Sequence, residues 1–240
     1  MQLTLDLLGA SPLAEAQSRL RACFGPQRAD GRHDPISQLV KSIVSSRTYD
    51  AVSAAAYLRL QRRYPAWDAL MRAPEADVRA AIGAVTFPEK KAPCLQAALR
   101  AIQAQKGALT LDFLADFSSD SALAWLERLH GVGRKIAAAV LNFSALHGYA
   151  FVIDTHVLRV AQRLGWVSPR IKTAEKAYPP LMARIPPAWN ADDLYEMHCL
   201  MKRLGQSICT HAEPDCRICP LRSLCAYARR GLTARPTRRA

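Results

Sequence analysis

Four cysteines, Cys209, Cys216, Cys219 and Cys225, follow the spacing C-x6-C-x2-C-x5-C near the end of the chain. Four thiolates crowded in this way are the ligand set of an iron–sulfur cluster or of a structural zinc. A single C-x2-C fits zinc less well than two such pairs would. A second concentration of chemistry lies upstream, in Leu129-His130-Gly131-Val132-Gly133-Arg134-Lys135, with Asp154 following in Val152-Ile153-Asp154-Thr155-His156.

The spacing predicts two helices, 121–129 and 134–146, joined by a turn holding Gly131 and Gly133. Glycines let the backbone bend sharply and approach another surface closely. The second helix then offers unpaired N–H groups and the positive end of its dipole, which suit a phosphate. Such a hairpin grips a nucleic-acid backbone without reading bases; an ordinary helical hairpin is the competing reading. Lys135 falls in the first turn of that helix, where a cation is disfavoured. Apolar neighbours (Val132, Ile136, Ala137 to Ala139) push in the same direction. A lysine kept neutral is an amine nucleophile, while a phosphate-contacting lysine explains the position equally well. Asp154 is placed to cap the next helix, and as a carboxylate it could also activate an amine. His156 is a DNA-contact candidate, with a structural role as its alternative.

These residues need a helical frame, and the pattern supplies one. Apolar residues recur at helical spacing nearly throughout, and no hairpin-type strand signals occur; the fold class is all-α. Ile36, Leu39, Val40, Ile43 and Val44 form a stripe behind an expected Asp34 cap and Pro35. Further helices are expected at 50–64, 67–71, 76–82, 91–105, 111–117, 121–129, 134–146, 156–164, 174–184, 191–204 and 221–228, with Pro88 read as a break.

The chain has 240 residues, half of them apolar, and 33 Lys and Arg against 20 Asp and Glu, a net charge of +13. That excess favours an anionic partner, above all nucleic acid. Cys23, Cys94 and Cys199 are isolated and read as small buried residues. The first residues, Met1 to Asp6, lack the basic and apolar regions of a leader, which favours a reducing cytoplasm and a metal over disulfides. The uncharged run 136–153 is interrupted by Asn142, Ser144, His147 and Gly148, so no membrane span is expected. The last stretch, 229–240, is basic and expected to be disordered.

From about Asp34 to Cys225 the sequence resembles endonuclease III, a DNA glycosylase family of the helix-hairpin-helix superfamily. The glycine hairpin with Lys135, the segment around Asp154 and the spacing of the four cysteines carry the resemblance. It implies two helical lobes with a DNA-binding cleft between them. One is a six-helix barrel over 28–147, carrying the hairpin at 121–146. The other is an iron–sulfur lobe from 1–27 and 148–228. It implies a [4Fe–4S] cluster on Cys209, Cys216, Cys219 and Cys225. Its partner would be double-stranded DNA with damaged bases or abasic sites, bound by a monomer that is cytoplasmic, or nucleoid-associated in a bacterium. The implied activity is that of a bifunctional N-glycosylase and abasic-site lyase on oxidised pyrimidines. Lys135 would form a Schiff base, Asp154 would assist, and the strand would be nicked by β-elimination. Gly131, Val132, Gly133, Arg134, Arg47, Phe87 and His156 would contact DNA. A noncatalytic or weakly active damage-binding protein of the same fold is the alternative.

The sequence departs from the family in four places. His130 stands where proline is usual, and Arg47 stands where a glutamine plugs the gap left by a flipped base. The segment 82–92 is longer than usual and offers Phe87 as a wedge, a buried aromatic being the competing reading. The loop 210–215, basic in the family, carries Glu213 and Asp215.

Overall fold

The computed structural model describes residues 11–233, and among these it is helical without extended strands. The first ten residues, where the absence of a leader was read, and the final seven of the basic tail lie outside the described residues. The chain divides into two compact units. One runs Ala29–Val152; the other joins the chain up to Arg28 to the chain from Ile153.

The first unit holds α2 (Pro35–Ser45), α3 (Asp50–Arg63), α4 (Trp67–Arg72), α5 (Glu75–Ala81), α6 (Pro88–Lys106), α7 (Ser119–Glu127) and α8 (Arg134–Phe143). Its central element is α2, which packs against α3, α6 and α8. The apolar stripe at 36, 39, 40, 43 and 44 is buried at 4% exposure or less, each such side chain contributing about 1.5–3 kcal/mol. Asp34 caps α2 by accepting from the Ser37 amide at 2.9 Å, with Pro35 in the first turn. The polar residues of this buried helix are partnered. Gln38 donates to Ser42 at 2.9 Å, and the Trp67 indole donates to Ser37 at 2.8 Å.

The second unit holds α1 (Pro12–Phe24), α9 (Thr155–Leu164), α10 (Ala174–Met182), α11 (Ala191–Ser207) and α12 (Ala226–Thr233). Here α11 packs on α1 and α9, and α9 also touches α10 and α12. No described helix is long and apolar enough to cross a membrane.

Several expectations are corrected. α1 was not anticipated. Pro88 begins α6 rather than breaking it, because a proline at the first helical position loses no helical hydrogen bond. The stretch 111–117 closes only as a 3-10 turn at Asp112–Asp116. α8 ends at Phe143, where Ser144 turns its hydroxyl back to the Val140 carbonyl. Cys23 is exposed on the last turn of α1, and Cys94 and Cys199 are only partly buried. Arg229 and Arg230, assigned to the tail, stand on α12.

Candidate functional site

The glycine hairpin folds as α7, a turn, and α8. Gly131 adopts φ +79°, a left-handed conformation in which L side chains are strained. Its α-carbon also lies against Cys94, so an added Cβ would stand 2.7 Å from that sulfur. Gly133 caps α8 through its carbonyl, which accepts from the Ile136 and Ala137 amides at 2.9 and 3.0 Å. Both glycines are exposed, and Val132 between them is buried. Arg134, expected to face DNA, forks onto Glu127 at the end of α7, Nε to Oε1 at 2.5 Å and NH2 to Oε2 at 3.0 Å. It thereby braces the two helices against each other. Lys135 is half-buried in the first turn of α8, and electrostatically it neighbours Lys91 of α6.

Arg47 and Phe87 occupy two turns of the same unit, both exposed and both left-handed, at φ 52° and 58°. Sequence reasoning missed Tyr49, on the same turn as Arg47 and 86% exposed. It also missed Lys91, which is 6% exposed and donates to the carbonyls of Val44 and Ser46 and to the Thr48 hydroxyl. An exposed aromatic beside a basic residue was a usable signal for Tyr49. Nothing local distinguishes Lys91 from its neighbour Lys90.

In the second unit Asp154 caps α9, its Oδ1 accepting from the Val157 amide at 2.8 Å. Burial pushes its pKa up. Charge from His198, the Val157 N–H, His156 and Lys202 outweighs that, and the carboxyl ends below its ordinary range. His156 is half-buried where Gly205 lets α9 and α11 approach, and its Nδ1 lies 3.1 Å from Arg159.

Cys209, Cys216, Cys219 and Cys225 line one small pocket together with Arg163, Tyr227 and neighbours. No three His, Cys, Asp or Glu side chains among the described residues converge closely enough to share one metal ion. Arg163, also missed from the sequence, organises the loop. It donates to the carbonyls of Cys209, Thr210 and His211 and lies 3.2 Å from Cys209 Sγ, while the Cys225 thiol donates back to its carbonyl. Arg159 reinforces this, donating to the carbonyls of Gly205 and Cys209. Burial and the other three thiols push Cys219 up to about 11. Four thiolates in this space therefore need compensating positive charge. In the following loop Asp215 pairs with Arg217, which holds its carboxyl below the usual range.

A model of the HhH-GPD superfamily of base excision DNA repair proteins matches residues 40–187, more than half of the chain. The chain belongs to the HhH-GPD superfamily. An Arabidopsis thaliana protein named for DNA glycosylase activity is 32% identical over 194 residues, 76% of this chain and 64% of that one. The endonuclease III-like protein 1 of Bos taurus is 29% identical over 210 residues, covering 86% of this chain and 63% of that one. The DNA glycosylase/AP lyase ROS1 of Arabidopsis thaliana is 28% identical, and the match spans only 12% of its length. The chain thus spans less than two thirds of each of these relatives. Among solved structures, a non-covalent endonuclease III–DNA complex superposes with a TM-score of 0.74 at 24% identity, over 91% of this chain and 95% of that one. The all-α HhH-GPD fold is therefore the endonuclease III fold.

Proposed function

We propose that this HhH-GPD protein is a bifunctional DNA N-glycosylase and abasic-site lyase acting on oxidised pyrimidines in double-stranded DNA. One observation carries the reading: a half-buried Lys135 in the first turn of α8, directly after two exposed glycines. The glycine turn and the positive N-terminal end of α8 suit a phosphate, and the dipole that attracts the phosphate disfavours a charged lysine beside it. The neutral Lys135 amine bonds to C1′ of the damaged nucleotide. The C1′–N bond breaks, and the base leaves with its electron pair and takes a proton. Loss of the ring oxygen from C1′ leaves a Schiff base. Removal of a C2′ proton then expels the 3′ phosphate and nicks the strand. Asp154 is assigned the stabilisation of positive charge on the sugar during the first bond cleavage.

The C-x6-C-x2-C-x5-C spacing of Cys209, Cys216, Cys219 and Cys225, whose side chains line one pocket, supports a [4Fe–4S] cluster as their ligand. When bound, the cluster would cross-link the loop to α12 and supply the missing positive charge, and it takes no part in the reaction.

Borohydride added during turnover on abasic duplex DNA should trap the protein on the strand, and Lys135→Gln should abolish trapping. Absence of an adduct, or equal trapping by the variant, rejects the reading.

A further inference from the structure

Arg47 and Phe87 are strained for the same reason. L-residues in the left-handed region persist only where surroundings over-determine them. One residue supplies those surroundings for both turns. Lys91 begins one helical turn past Phe87, and its amide donates to the Phe87 carbonyl at 3.1 Å. Its ammonium ends beside Arg47, donating to Val44 O at 2.8 Å, Ser46 O at 2.6 Å and Thr48 Oγ1 at 2.8 Å. A lysine has three protons to donate, and all three are placed. Two of the acceptors lie at the carbonyl end of α2, where a cation is favoured. Thr48 completes the link. Its hydroxyl accepts from the Thr86 amide at 3.1 Å and donates to Ser46 O at 3.3 Å, so the turn before Phe87 is tied to the turn of Arg47.

What the two turns present is a cationic side chain, the Phe87 ring at 45% exposure and the Tyr49 ring at 86%. Lys90 stands 5.3 Å from the Phe87 ring centre. Rings and cations on two joined turns suit contact with unstacked bases. A group inserted into a base stack works only if its backbone does not yield.

We propose that Lys91 is a positioning residue for base extrusion, holding the turns of Arg47 and Phe87 as one rigid wedge. The proposal rests on the DNA glycosylase reading above. Lys91 touches no substrate; it acts through the two turns.

The test uses the full chain, its Lys91→Met variant, and Thr48→Val, which removes the Thr86 link and one acceptor of Lys91. The first readout is 2-aminopurine fluorescence beside an abasic analogue in duplex DNA, which reports unstacking without chemistry. The second is nicking of an abasic site in duplex against the same site in single-stranded DNA, where nothing has to be extruded. Lys91→Met is expected to lose the fluorescence rise and about 10- to 100-fold of the ratio of duplex to single-strand nicking, a ratio that cancels any effect of the lost charge on the Lys135 amine. Thr48→Val is expected to shift both in the same direction by less, and it carries the test should Lys91→Met fail to fold. Equal losses on both substrates, or an unchanged fluorescence rise, overturn the proposal. Should wild type neither nick nor trap, the glycosylase reading falls. The fluorescence then decides alone: a rise lost in Lys91→Met sustains the wedge, and no rise in wild type overturns it.

Discussion

Gly131 and Cys94 are in contact: a Cβ on Gly131 would meet the cysteine sulfur at 2.7 Å and its Cβ at 3.0 Å. Nothing lies within 4 Å of a Cβ on Gly133. The two glycines of the hairpin therefore serve different ends. Gly131→Ala is expected to cost about 2–3 kcal/mol in urea unfolding, from left-handed strain and overpacking. Gly133→Ala should cost less than about 1 kcal/mol while weakening DNA binding. Cys94→Ala in the Gly131→Ala background should recover part of the loss. Equal costs at the two glycines would contradict this division.

Asp154 caps α9, and the pH dependence of stability tests that cap apart from the role proposed for it. Its native pKa lies below the ordinary 3.8, so the ionised form stabilises the fold. That contribution is complete above the unfolded value and disappears as pH falls through the native one. The gap in melting temperature between wild type and Asp154→Asn should close as pH falls below about 4, where the carboxylate of the wild type takes up its proton. Asp154→Ala should lose a further cap energy of about 1 kcal/mol. A gap that keeps growing below about pH 4 would count against this account.

Lys91 shows the opposite sign. Burial, then the charge of Lys135, pushes it down to about 8 from 10.5. Between those values the unfolded chain holds a proton that the native protein has released, so stability rises with pH. Urea midpoints from pH 7 to 10.5 should show wild type gaining on Lys91→Met by up to about 1.4 kcal/mol per pH unit within that window. Parallel curves would show that Lys91 is not buried as a cation.

Arg163 is expected to be as important for metal retention as a cysteine. Arg163→Met removes its bonds to three carbonyls and its contact with the Cys209 sulfur. A loss of roughly 3 kcal/mol and a fall in iron content of purified protein are expected, with Arg163→Lys recovering little, since an ammonium cannot span the same acceptors. Full iron content with unchanged melting would refute this.

Arg47 trades stability for its position. Arg47→Gly relieves left-handed strain but adds freedom to the unfolded chain, so thermal unfolding should show a net gain of roughly 0.5 kcal/mol. Duplex binding should lose about one unit of salt slope. A destabilised variant would mean that the side chain itself holds the turn.

The sequence by itself determined whatever depends on near neighbours. A helical period, an aspartate before a proline and an apolar stripe gave α2 with its cap and its buried face. Asp154 was legible as a cap for the same reason, and the four cysteines were legible as a set because their spacing confines them. Pro88 was misread because a proline both stops and starts helices, and only the path of the preceding turn distinguishes the two. Tertiary structure alone decided that Arg134 spends its fork on Glu127, that Arg163 folds the cysteine loop, and that Lys91 joins two turns about forty residues apart. Each of these is a bond between groups whose separation along the chain carries no pattern. A long side chain finds its acceptors only after the core has fixed where the backbone carbonyls point.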